Sequence, residues 1–121
     1  MMSMDQKAAI LNYQFAERTK SELLVASKLV VSVVSYPEKE KNGGKRMLID
    51  LLDAIRSEIT FAYHTTQNNE FQKAINHLND VISMVESNQY GIASEKLAMS
   101  VSAATTAAQT SWQVLSDHGL V

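Results

Sequence analysis

The clearest periodicity in the chain lies between residues 45 and 66. Leu48, Leu52, Ile55, Ile59 and Ala62 recur at steps of four and three, while Asp50, Asp53, Ser57, Thr60 and His64 fall on the other side. That spacing belongs to an α-helix with one apolar stripe. A second stripe, running from Phe71 through Ala74, Ile75, Leu78, Val81 and Ile82 to Val85, predicts a helix over residues 70–87 capped by Asn69. The opening segment is rich in helix formers up to Pro37, the only proline, which disfavours helical geometry at Tyr36. This predicts a first helix over residues 5–35, with Ser3 and Gln6 in a capping-box relation. Pro37, Gly43 and Gly44 then predict a charged loop over residues 36–44, so that the second helix starts at 45. The last helix is expected over residues 89–118. Gly119 suits the left-handed position beyond it, with Leu120 turned back towards Leu115.

Four helices joined by short connections predict an all-α, antiparallel up-down-up-down four-helix bundle, in one domain spanning residues 1–121. Helices 1 and 4 are expected to be long, and helices 2 and 3 shorter. At the helical rise the difference is roughly 15 Å. Topology puts that overhang at the end bearing both termini, where Ile10, Leu11, Tyr13 and Phe15 would lie beside Trp112, Val114 and Leu115. Two helices alone cannot cover so many large apolar groups, and such patches mark interfaces. An echo at an offset of nineteen residues, Asn69-Glu70-Phe71 with Ala74 and Leu78 against Asn88-Gln89-Tyr90 with Ala93 and Leu97, is read as convergence of two capped amphipathic helices.

The fourth helix adds a second argument. From Leu97 to Ser116 no residue is charged, in a chain where charged residues make up 20% of the composition. Ser100, Ala104 and Ala108 form one ridge of small residues, and Ala103, Ala107 and Ser111 the next. One ridge can pack inside the bundle, and the other is expected to need a neighbour. Interface cores are poor in charge and rich in aromatic residues and Met. The expected contact surface is therefore Tyr13, Met99, Ala103, Ala107, Ser111, Trp112 and Leu115, used for a homodimer or a protein partner.

Composition narrows the chemistry. The chain has no cysteine, which excludes thiolate chemistry and suits a cytoplasmic setting, and its net charge of −2 is not that of a nucleic-acid binder. No membrane span is expected, because the charge-free stretch is rich in Ser, Thr and Gln. No Glu-x-x-His pair occurs, and His64, His77 and His118 fall on polar faces or at a helix end, so no metal or cofactor is expected. Asp50 and Asp53 read as charges that compensate the helix dipole. No catalytic constellation emerges. Lys39, Lys41, Lys45 and Arg46 in or beside the first loop are the candidate phosphate contacts, with Glu38 and Glu40 interleaved. The expected function is a non-enzymatic helical interaction or assembly module that docks through helix 4 and the terminal end of helix 1. The alternatives are a nucleic-acid-associated accessory protein using the basic loop, and an enzyme or small-molecule binder with a pocket between helices.

Overall fold

The computed structural model describes residues 4–121 and contains four α-helices: α1 Gln6–Val34, α2 Glu38–Thr66, α3 Asn69–Glu86 and α4 Tyr90–Asp117. Each helix packs on its neighbour in sequence, and α4 also packs on α1, which closes a four-helix bundle. Paired residues run in opposite order on successive helices. Arg18 meets Glu58 while Asn12 meets Asn68, and Lys45 meets Glu86 while Arg56 meets Asn79. The core contains the two predicted stripes of α2 and α3 together with residues of α1 and α4, and Leu23, Leu52, Ile59, Phe71, Leu78 and Leu97 are fully enclosed. The capping role expected of Ser3 lies outside the described residues. Asp5 caps α1, its carboxylate accepting from the Ala8 amide at 2.7 Å.

The second helix departs from expectation. It begins at Glu38, seven residues early, and spans 29 residues, as α1 does. Only α3, with 18 residues, is short. Pro37 stands at the N-cap with φ −55°, which suits a helix start, and Glu38 and Glu40 place negative charge in the first turn. Gly43 and Gly44 are therefore helical residues. Gly44 has a packing reason: a Cβ there would lie 2.8 Å from two ring carbons of Tyr36. No such neighbour surrounds Gly43.

The helix ends are closed by side chains and left-handed residues. Asn68, one residue before the expected cap, accepts from the Glu70 amide at 2.9 Å. Its own amide donates to Oδ1 of Asn12, a residue of α1 that is almost fully buried. Asn12 in turn donates to the Ala8 carbonyl. At the far end of α3, Asn88 adopts φ 63°, and the Gln89 amide donates back to the Met84 carbonyl at 2.8 Å. The same motif ends α4 as predicted: Gly119 has φ 70°, and the Leu120 amide donates to the Leu115 carbonyl at 2.8 Å. The start of α1 and the end of α4 lie together, since Met4, Asp5 and Lys7 share one hollow with Val114, Asp117 and His118.

Candidate interaction surface

The helix expected to offer a contact face turns most of it inward. Ala103, Ala107, Ser111 and Leu115 are all buried within the single chain, and so is the other ridge of Ser100, Ala104 and Ala108. This corrects the expectation that one ridge needs a neighbour. The cause is that α4 is covered from two sides. α1 presents its own small residues, with Ala9, Ala16 and Ala26 fully buried, so its axis can approach closely. On the α3 side, Ser100 Oγ donates to the Ala74 carbonyl at 2.8 Å and binds the two backbones together.

The remaining members of the expected surface do not form one patch. Tyr13 and Trp112 line a hollow between α1 and α4, with Glu17, Lys20 and Gln109. Met99 lies on the other flank of α4, beside Glu70, Lys73 and His77 of α3. The accessible members are thus split between two hollows, Tyr13 and Trp112 in one and Met99 at the rim of the other, where Ala103 is almost fully buried.

The basic cluster is also divided. Lys41 pairs with Glu38 at 3.7 Å. The Lys45 ammonium donates to the Glu86 carbonyl at 2.7 Å and to Asn88 Oδ1 at 3.2 Å, closing the C-terminal end of α3. Lys39 and Arg46, seven residues apart on α2, stay exposed on a different face from Lys41 and Lys45. Because the expected loop is helical, the four cations are held apart by helix geometry, and one already serves as a cap.

A further apolar surface lies elsewhere, on the outer flank of α1 and α2. On α1, Leu11, Phe15, Arg18, Glu22, Val25 and Leu29 recur at steps of four and three; on α2, Met47, Leu51, Ala54, Glu58 and Phe61 do the same. Both rows follow the heptad rule of residues that expect a facing helix. Arg18 bonds Glu58 across the two helices, so the rows lie side by side. They are far from covered: Phe61 is 64% exposed and Met47 75%. Val25, Leu29 and Tyr36 are also exposed.

Two hollows punctuate this flank. The first, of about 270 Å³, lies among Phe15, Arg18, Glu22, Glu58 and Phe61. Phe15 meets Phe61 edge to face at 5.9 Å between ring centres and continues to buried Phe71 at 6.5 Å. The second, of about 360 Å³, is floored by Gly44 and walled by Leu29, Val33, Tyr36 and Met47. Arg18 bridges the charges of the first hollow, with Nε on Glu22 at 3.1 Å and Nη2 on Glu58 at 2.5 Å. Two carboxylates thus share one guanidinium. Burial, joined by the adjacent Glu58 carboxyl, pushes the Glu22 carboxyl above its ordinary range, against the opposing pull of Arg18. Its bonds to Glu22 and the charge of Glu58 hold the Arg18 guanidinium more firmly protonated than usual.

Sequence reasoning missed this flank for a definable reason. On α2 the core stripe is the stronger signal, and Asp50, Asp53 and Ser57 make the rest read as polar. The outer row is visible only once the steps Met47, Leu51, Ala54 are followed through Glu58 to Phe61.

Among the described residues, no group of three or more His, Asp or Glu side chains is placed to hold a metal ion, and no helix is long and apolar enough to cross a membrane. No family model, curated protein or solved structure matches the chain.

Proposed function

We propose that this chain is a non-enzymatic helical interaction module whose partner-facing surface is the outer flank of α1 and α2. The observation that carries the reading is the pair of partly exposed heptad rows, one on each helix, meeting at the Arg18–Glu58 bond. A single row could be a surface accident. Two rows in register side by side form a groove of the kind that receives a further helix. The absence of cysteine supports a cytoplasmic setting.

Position-resolved photo-crosslinking tests this reading. A photoreactive phenylalanine analogue is placed in turn at Met47, Phe61 and the polar control Asp50, in cells that naturally make the protein. Positions 47 and 61 are expected to give the same discrete adduct and position 50 none. Uniform labelling, or no adduct at 47 and 61, would refute the assignment.

A second, smaller contact is supported by Trp112, which is 44% exposed beside Tyr13 in the hollow between α1 and α4. This is what remains of the surface expected from sequence, and it is our reading for homodimer formation. Light scattering across a concentration series tests it: a dimer that Trp112→Glu dissociates supports the contact, and a strict monomer removes it.

A further inference from the structure

We propose that the α1–α2 flank receives one amphipathic helix of another protein, carrying an Arg or Lys within its apolar seam opposite Glu22 and Glu58. The proposal rests on the reading of this flank as a docking surface and names the chemistry of its occupant.

The spacing of the hollows sets the form of the occupant. Along α1 the first is reached by Phe15 and the second by Leu29, fourteen residues later. Fourteen residues are two heptads, about 21 Å of helix. Positions so spaced on a straight helix drift by only about 40°, within the width of one apolar stripe, so a single helix reaches both hollows. The second hollow is lined by aliphatic and aromatic groups around Gly44, and it takes a large apolar side chain.

Charge sets the identity of the residue at the first hollow. Glu22 and Glu58 carry two negative charges against the single positive charge of Arg18. An apolar helix laid over them would desolvate an uncompensated charge, which is costly. An acidic helix would add repulsion. An Arg or Lys completes the pairing, and Phe15 and Phe61 offer ring faces beside it.

The same bookkeeping disfavours a second copy of this chain. Met47 and Phe61 each lie seven residues from Ala54, and the pairing of Arg18 with Glu58 and Phe15 with Phe61 sets Ala54 opposite Glu22, so a two-fold axis midway between the hollows would pass near Ala54 and Glu22. That arrangement sets the charged hollow of each copy against the aliphatic hollow of the other. Both copies would bury an excess carboxylate with no cation opposite. Complementarity therefore selects a different protein over self-association.

The test uses the full chain and three synthetic three-heptad amphipathic peptides with Leu seams. They differ at one seam position, fourteen residues from a seam Leu, which carries Arg, Leu or Glu. Binding is read by fluorescence anisotropy. The Arg peptide is expected to bind ~tenfold tighter than the Leu peptide, with the Glu peptide weakest. The ranking should collapse in the doubly substituted Glu22→Gln, Glu58→Gln chain, and Met47→Glu should weaken all three. On the wild-type chain the advantage of Arg should shrink as salt rises, a readout independent of how the variant folds. Equal binding of the three peptides, or an Arg advantage unchanged by salt and by the double substitution, would overturn the proposal. No peptide binding together with crosslinks at positions 47 and 61 would overturn it while leaving the docking surface standing. A dimer dissociated by Met47→Glu would overturn it in favour of a second copy.

Discussion

Replacing Gly43 by Ala should stabilise the protein, and replacing Gly44 by Ala should not. Both glycines lie inside α2, and neither has a positive φ. In a helix interior, Gly is less favourable than Ala by roughly 0.5–1 kcal/mol, chiefly through the freedom of the unfolded chain. A Cβ at position 43 meets nothing within 4 Å, so Gly43→Ala should gain that full amount. For a domain of this size the gain is about 2–4 °C in Tm. A Cβ at position 44 lies 2.8 Å from Tyr36 Cδ2 and Cε2, so the ring must swing away. Tyr36 is 41% exposed, and the apolar contact it gives up is worth on the order of 1 kcal/mol. The propensity gain is then cancelled, and Gly44→Ala should come out near zero or below. In a Tyr36→Ala background the clash disappears, and Gly44→Ala should stabilise as Gly43→Ala does. Thermal and urea unfolding followed by circular dichroism measure the wild type, the three single substitutions and the Tyr36→Ala, Gly44→Ala double substitution. A destabilising Gly43→Ala would mean that residues 38–44 are not helical, and equal effects at 43 and 44 in the wild-type background would remove the Tyr36 contact.

Three further substitutions probe the polar joints. Asn12→Ala should cost about 1–2 kcal/mol in urea unfolding, because the Asn68 amide loses the Oδ1 acceptor that holds it over the start of α3; if its effect simply adds to that of Asn68→Ala, the two do not act as a unit. Ser100→Ala should cost about 1 kcal/mol through loss of the bond to the Ala74 carbonyl, and an unchanged urea midpoint would refute this. For Glu22, the raised folded pKa means that the native state holds its proton to higher pH than the unfolded chain. Its contribution is fully present below the ordinary carboxyl value and is lost as pH rises through the raised one. Wild type should therefore lose stability relative to Glu22→Gln across that interval, and a flat difference, or one of opposite sign, would refute the assignment.

The fold was legible where one signal dominated. The α3 stripe from Phe71 to Val85 is strictly periodic and entirely buried, and Gly119 ends α4 with the expected backbone bonds. The start of α2 was not legible, because Gly43-Gly44 is locally a loop signal. The favourable first turn and the fit of Gly44 under Tyr36 outweigh a local cost of about 1 kcal/mol per glycine. The small residues of α4 announced close packing correctly as chemistry but not its direction. Ala103 and Ala107 look the same in sequence whether they face α1, α3 or another molecule. Asn12 carried no mark of its role, since its partner Asn68 is 56 residues away.

The shared hollow of Met4, Asp5 and Lys7 with Val114, Asp117 and His118 has an architectural consequence. The polypeptide enters and leaves the bundle at one place. Spliced into an exposed loop of a host protein, the segment from α1 to α4 would require little separation of the host's two strands. The α1–α2 flank would then travel with the insert as part of its own surface, so the surface assigned to its partner could be carried on another protein.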